Sequence, residues 1–423
     1  MKFAFITPRY GADISSGPEH ACRLLAEHVS ERHEVDVITT CGRDPLTWEN
    51  EYSEGSDRVR GVLVRRFAVN QTHDRAAFRR LSARVLEEPH GRADEQEWVR
   101  RLGPTSLALV DHLKRHYRSY DALVFFSLYH PTTVFGVEIA PERSIVFPCL
   151  QLDARLRFGL WPDVLASARA VGYLSMTERT LAQQFLRIAL PNEETVGIGI
   201  ETPVQHAYPR HQQDPVDDMT GADEDTSPAS QGPSADYLMS RGVLFRRRHR
   251  LYGRFVLYGG RIESDNGCEE MLEYFDSYAA GTGDVALVLM GIKLMKVPEA
   301  AYLRMPGGLP DRERMIAYEA ADVTLAPEPD DLLATTVLES FAVGTPALVN
   351  ARNAAAVDHC RRANAGLYYT TRDEFTEALR LLIGDQRLRE RLGENGRRYI
   401  LQHHRWDAVL GRFDRLVAKT RRS

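Results

Sequence analysis

Cysteine is scarce in this chain: five of 423 residues, Cys22, Cys41, Cys149, Cys268 and Cys360. Their number is odd, they lie far apart, and no two form a Cys-x-x-Cys pair. That argues against a disulfide framework or a zinc site and reads as an intracellular protein. A basic excess is also missing. Lys plus Arg is 54 and Asp plus Glu is 59, a formal net charge of −5, which speaks against a dedicated nucleic-acid binder but leaves room for a local cationic pocket for a phosphate. Long hydrophobic runs are absent too. Met1 to Arg9 holds only a short apolar run, a first strand rather than a signal peptide. The uncharged stretch from Ala122 to Val137 contains His130 and Pro131 and is too short and too polar to span a bilayer. What remains is a globular composition, 43% hydrophobic and 27% charged, in a chain long enough for two or three domains.

Short apolar runs alternate with helical patterns through the first half. Phe3–Ile6, Glu34–Thr39 and Gly61–Phe67 read as strands, and Glu19–Glu31 as a helix with Ala21, Leu24, Leu25 and Val29 at helical spacing. Arg75–His116 reads as mostly helical and charged. Asp121–Ser127, Ser144–Cys149 and Ala168–Ser175 read as further strands or strand edges. From His211 to Ser240 there are seven acidic residues, no Lys or Arg, and Pro215, Gly221, Pro228 and Pro233 break any period. This stretch is expected to be a solvated insertion without a fixed structure. Arg241, Arg246, Arg247, Arg248 and Arg250 then reverse the sign, as a solvated helix face would. The alternation restarts with a strand ending in Gly259-Gly260-Arg261 and runs on to Ala347–Asn350. Two α/β domains in tandem are the expectation.

The segment most informative about chemistry runs from Ala326 to Asn350. A strand ends, an acidic loop with Asp331 follows, a helix starts near Thr335, and Glu339 lies about one turn inside it. Ligands of open α/β sheets bind at the carboxyl ends of strands. A helix start offers free N–H groups and the positive end of the dipole, which suit a phosphate. An acid on an apolar helix, between Leu338 and Phe341, needs a partner, and sugar hydroxyls are candidates.

This segment resembles the acid-x7-acid signature of the retaining family-4 glycosyltransferases, which have the GT-B fold. Pro327, Asp331, Leu338-Glu339 and Gly344-Thr345-Pro346 fall in register with it, and Val349 to Arg352 with Cys360 to Tyr369 resemble a bacterial branch. Gly260-Arg261-Ile262-Glu263 with Asn266-Gly267, the loop Pro8 to Gly11 with Gly17-Pro18-Glu19-His20, and Trp406 in the last helix add to the resemblance. It implies an α/β, GT-B protein of two Rossmann-like domains facing across a cleft. The first would cover 1–204, bind the acceptor and be completed by helix 405–423. An acidic insertion would cover 205–249, and the nucleotide-sugar donor domain 250–404. The resemblance puts Glu339 on the nucleotide ribose, Asp331 near the transferred sugar, and Arg261 on the donor diphosphate, where a guanidinium fork fits. Asn266, Leu332, Leu333 and Gly17 would line the nucleotide-sugar site. No metal or cofactor is implied. The donor would be a UDP or GDP sugar, the acceptor a glycan, a lipid-linked or a small molecule, and the place of action the cytoplasm, with contact at the inner face of the membrane left open.

The segment also departs from the family. Asp331 stands for a Glu, Leu332-Leu333-Ala334 for Gly-Phe-Gly, Asn266 for a Lys, Gln151 for a His, and Gly17 alone for two adjacent glycines. Two readings stay open: a glycosyltransferase, with weakened activity as one variant of it, and a non-catalytic homologue that serves as partner or scaffold of an active transferase. Plainer roles compete for single residues: Arg261 paired with Glu263 or with the acidic insertion, Glu19 at an ordinary helix start, His403 and His404 solvated in a charged helix, and Cys360 as a small buried hydrophobe.

Overall fold

The computed structural model describes residues 1–14, 17–70, 74–187, 190, 192–202, 235–282 and 285–421. Most of the acidic stretch, along with Ser15 and Ser16, lies outside the described residues. The chain divides into two compact units, one of residues 1–199, 330–334 and 402–423, the other of residues 200–329 and 335–401.

The first unit is built on eight strands: β1 (Lys2–Ile6), β2 (Glu34–Thr40), β3 (Gly55–Val59), β4 (Val62–Phe67), β5 (Ala122–Phe126), β6 (Ser144–Phe147), β7 (Ala170–Tyr173) and β8 (Glu193–Thr195). Their order in the sheet is β3-β4-β2-β1-β5-β6-β7-β8. All neighbours pair in parallel except β3 and β4, an antiparallel pair at the edge. Strands buried on both faces need continuous apolar runs rather than alternation, and β5 (Ala-Leu-Val-Phe-Phe) is buried at every residue. The helix Trp406–Arg421 returns to this sheet. Phe413 meets Phe3 edge-on at 5.6 Å, Trp406 stacks on His28 at 3.6 Å, Arg412 Nε donates to the Val196 carbonyl at 2.7 Å, and Lys419 Nζ donates to that of Glu193 at 2.7 Å.

Glu178 ties the carboxyl ends of two strands in this unit. It is buried, and its two oxygens accept from Leu150 N at 3.1 Å, just after β6, and from Leu174 N at 2.6 Å, just after β7. Burial pushes its pKa up to about 7, against the pull of the backbone N–H groups of Leu174, Leu150, Cys149 and Ser175, which favour the ionised form.

The second unit holds β9 (Arg254–Gly259), β10 (Val285–Met290), β11 (Leu303–Gly307), β12 (Val323–Ala326), β13 (Ala347–Asn350) and β14 (Gly366–Tyr369), in the order β11-β10-β9-β12-β13-β14, all parallel. Successive residues of β9 face opposite sides of the sheet. Val256 and Tyr258 enter one core with Met271, Phe275, Phe375 and Leu379. Phe255 and Leu257 enter the other with Phe245, Ala317 and Tyr318. At the start of β12, Asp322 gathers three guanidiniums, those of Arg246 at 3.4 Å, Arg254 at 3.3 Å and Arg389 at 3.6 Å, and accepts from Phe255 N at 3.0 Å.

Some elements differ from the sequence reading. The end of the expected insertion is a helix, Ala235–Arg248. It is docked rather than solvated: Phe245 is buried in a core, and Arg246 also donates to the Ala320 carbonyl at 2.6 Å. Strands β3, β8, β11 and β14 are short or partly exposed, and the apolar-run criterion passes over them. His404 is buried, its Nδ1 2.9 Å from the Ile198 carbonyl, whereas His403 is exposed. All five cysteines are free and buried. Among the described residues no helix is long and apolar enough to cross a membrane.

Candidate functional site

In the second sheet the chain begins at β9, adds β10 and β11 on one side, then crosses to add β12, β13 and β14 on the other. The reversal falls between β9 and β12, and their carboxyl ends form the topological switch point where such sheets take ligands. Gly259 ends β9, Gly260-Arg261 follow it, and Pro327-Glu328 follow β12.

Backbone packing draws these strand ends together. Gly260 N donates to the Met290 carbonyl at 2.9 Å, and Ile262 N to that of Ile292 at 2.9 Å. Gly291, at φ +149°, lies so close to Gly260 that a Cβ there would stand 1.8 Å from its carbonyl oxygen. Only glycine allows both this dihedral and this approach. Gly267, at φ +72°, closes the turn Ser264–Asn266, and a Cβ there would stand 2.5 Å from the Pro327 carbonyl oxygen.

Arg261 is half exposed and pairs with Glu263 at 2.9 Å. Its carbonyl accepts from Tyr258 OH at 2.9 Å and from Asn266 Nδ2 at 3.0 Å. The structure thus brings Arg261 and Asn266 together, with the Asn266 amide engaged in holding the turn. The plain pairing of Arg261 with Glu263 is present, and it still leaves guanidinium N–H groups for a ligand.

The helix Thr335–Val343 starts beyond β12. Thr336 Oγ1 donates to the Gly259 carbonyl at 3.0 Å, which binds the helix start to the end of β9. Glu339 lies three residues on, on the same helix face. The partner its position demands is Arg314, from the helix Asp311–Ala320, whose Nη2 donates to Glu339 Oε1 at 2.7 Å. Burial pushes the Glu339 carboxyl up, while Arg314 pulls it down. For Arg314, burial works against the charge, but Glu339, Tyr318 and Asp311 together outweigh it and the pKa rises. Tyr318, one turn beyond Arg314, is buried with its hydroxyl 3.4 Å from the Gly259 carbonyl. Burial raises its pKa, with the negative charge of Glu339 adding to that.

Asp331, Leu332 and Leu333 fall in the segment 330–334, which groups with the first unit. Asp331 Oδ1 accepts from Leu333 N at 3.0 Å, the local turn that Asp residues favour. Burial pushes its pKa up. Leu332, Leu333 and Ala334 are buried, and Ala334 adopts φ +47°. Gly17 lies in the first unit, opening the helix Gly17–Val29 at φ +75°. Beside it Glu19 is buried and accepts from Arg9 Nε at 3.2 Å.

The sequence reading missed Arg314, Thr336 and Tyr318. Arg314 is 25 residues from Glu339, so no local spacing links them. The available signal was an Arg one helical turn before a Tyr, on the face of a helix that must pack on the sheet. Among the described residues, no cluster of three or more His, Cys, Asp or Glu could hold a metal ion.

The arrangement is a strand-end site with a helix start for an anion, one half-free guanidinium, and a carboxylate–guanidinium pair for hydroxyls. Residues 245–399 match the family model described as Glycosyl transferases group 1. Solved structures of the GT-B fold match along nearly the whole chain. Sucrose-phosphate synthase (tll1590) from Thermosynechococcus elongatus is 14% identical with a TM-score of 0.64, covering 99% of this chain and 98% of that one. WaaG, a glycosyltransferase involved in lipopolysaccharide biosynthesis, is 15% identical with a TM-score of 0.60, covering 97% and 98%. Anabaena Alr3699/HepE, solved in complex with UDP and glucose, is 11% identical with a TM-score of 0.64, covering 99% of each chain. The chain therefore has the GT-B fold, two α/β domains with mostly parallel sheets. No curated protein matches it by sequence.

Proposed function

We propose that this protein is a glycosyltransferase that moves a sugar from a UDP or GDP sugar to an acceptor with retention of configuration. One observation carries the reading. Within the group 1 match, the helix Thr335–Val343 starts at the switch point of the sheet, with Arg261 and the Glu339–Arg314 pair on strand and helix ends beside it. A departing nucleoside diphosphate gains negative charge as the sugar leaves. A fixed guanidinium and a helix dipole aimed at that charge stabilise the transition state without reorganisation. The UDP bound to Anabaena Alr3699/HepE agrees in ligand class. In this reading Glu339 meets the ribose, Arg261 the diphosphate, Asp331 the transferred sugar, and Asn266, Leu332, Leu333 and Gly17 line the donor. The first domain takes the acceptor, which is a glycan, a lipid-linked or a small hydroxyl compound. The place of action is the cytoplasm, with lipid-linked acceptors reached at the inner face of the membrane. No metal or cofactor enters.

A second reading has its own support. Asn266 Nδ2 donates to the Arg261 carbonyl, and Asp331 Oδ1 accepts from Leu333 N. Two groups that the transferase reading gives to the donor are thus partly engaged in local turns, which suits weak turnover or a non-catalytic partner of an active transferase. Calorimetry of the full chain with UDP, GDP and their sugars, followed by donor-consumption assays with sugar acceptors and NMR of the product anomer, decides between them. Binding with turnover and a retained anomer supports the transferase. Binding without turnover, together with a co-purifying transferase, supports the partner. No nucleotide binding sinks the first reading.

A further inference from the structure

Glu339 is a carboxylate with one oxygen engaged. Oε1 accepts from Arg314 Nη2, while Oε2 has no partner among the described residues. The Glu339 side chain is 17% exposed and that of Arg314 36%. Arg314 Nη1 lies 3.5 Å from Asp311 Oδ1, too long for a good hydrogen bond, and Nε is buried without a partner. The pair stands one helical turn from Thr336, whose hydroxyl holds the end of β9. An acceptor oxygen and an under-used donor therefore lie side by side next to the switch point. A vicinal diol offers the complement, because each hydroxyl can both donate and accept.

We propose that Arg314 is a positioning and specificity-determining residue for the ribose of the bound nucleotide. It fixes Glu339 so that Oε2 accepts from one ribose hydroxyl, and it offers Nη1 to the neighbouring hydroxyl. This rests on the nucleotide-binding reading given above. Oε2 is the carboxylate oxygen without a partner and takes one hydroxyl, and the guanidinium beside it supplies the second contact. A fixed fork of this kind loses little rotamer freedom on binding.

The charged surroundings give the role a signature. The groups facing Glu339 are Arg314, Asp311 and Tyr318, all from the helix Asp311–Ala320, and its own helix carries no other ionisable side chain. With Arg314 removed, a desolvated carboxylate faces only the like charge of Asp311. It then takes up a proton as pH falls and becomes a weaker, uncharged acceptor.

The test uses the full chain and calorimetry with UDP, GDP and their 2′-deoxy and 3′-deoxy counterparts between pH 6 and pH 8, on wild type, Arg314→Lys and Arg314→Met. Wild type should prefer the ribonucleotide about tenfold or more over either deoxy form, with little change across this range. Arg314→Met should lose about tenfold in ribonucleotide affinity and most of the discrimination, and its remaining affinity should fall toward pH 6. Arg314→Lys should recover the pH behaviour, keeping the charge without the fork. Equal discrimination and an unchanged pH profile in Arg314→Met and wild type overturn the role of Arg314 and leave the nucleotide site standing. If Arg314→Met does not fold, full discrimination in Arg314→Lys overturns the fork argument. Wild type that binds none of these nucleotides overturns both the site and this role.

Discussion

Replacing Glu178 with Ala should cost the protein about 3–5 kcal/mol. The carboxylate accepts from Leu150 N and Leu174 N, and both donors sit where water does not replace the lost oxygen. Each orphaned buried donor keeps its full desolvation penalty, about 1–3 kcal/mol. A domain is stable by only about 5–15 kcal/mol, so the loss is a large fraction, roughly a 10 °C fall in the melting temperature of a domain of this size. The pH dependence carries an independent check. The folded-state pKa is about 7 against an ordinary 4.5, so the folded protein holds a proton that the unfolded chain has released. Stability from this group is full below about pH 4.5 and is lost as pH rises through about 7, by at most about 3 kcal/mol. Urea unfolding of wild type, Glu178→Ala and Glu178→Gln, followed by circular dichroism between pH 5 and pH 8, measures both effects. The Gln variant cannot ionise and should show a flatter pH slope than wild type. A cost below about 1 kcal/mol for Glu178→Ala, or equal slopes for Gln and wild type, refutes the reasoning.

Glu339→Ala should weaken UDP or GDP binding by about 1–3 kcal/mol, the scale of a charge-assisted hydrogen bond, and calorimetry reads it directly. Gly291→Ala places a Cβ 1.8 Å from the Gly260 carbonyl oxygen. It should cost about 2–5 kcal/mol in urea unfolding and weaken nucleotide binding at the same time. Asp322→Ala leaves the guanidiniums of Arg246, Arg254 and Arg389 without their shared carboxylate. It should lower the stability of the second domain by about 3–5 kcal/mol in the same assay while sparing the first.

Much of this fold was legible in the sequence because doubly covered strands carry their burial in unbroken apolar runs, as β1, β5 and β9 do. The strands that escaped are those whose residues do not need to be apolar. β3 is almost wholly exposed, and β14 pairs only along β13. The docked helix Ala235–Arg248 was obscured by its arginines, whose charge signals solvent although Arg246 spends its donors on backbone carbonyls and Asp322. In the site, Arg261 and Glu339 could be singled out from strand ends and helix starts, which are local features. Arg314 was harder to single out, because its meeting with Glu339, 25 residues away, is set by how two helices pack. Asn266 differs, because its partner, the Arg261 carbonyl, is only five residues away. Its amide was free to be imagined on a phosphate until the turn showed it bonded to the Arg261 carbonyl.

The helix Trp406–Arg421 belongs to the first unit although the whole second unit precedes it in the chain. On the ribosome, Gly199 is therefore made about 200 residues before the helix that covers β7 and β8, a delay of roughly 10–40 s at ordinary elongation rates. During that interval Phe3 and Phe5 lack Phe413, and the backbone of Glu193 and Val196 lacks Lys419 and Arg412. The nascent first sheet must wait with an apolar face bare while a second, self-contained sheet folds behind it. Emergence of that helix, rather than completion of its own strands, sets the earliest moment at which the first domain closes.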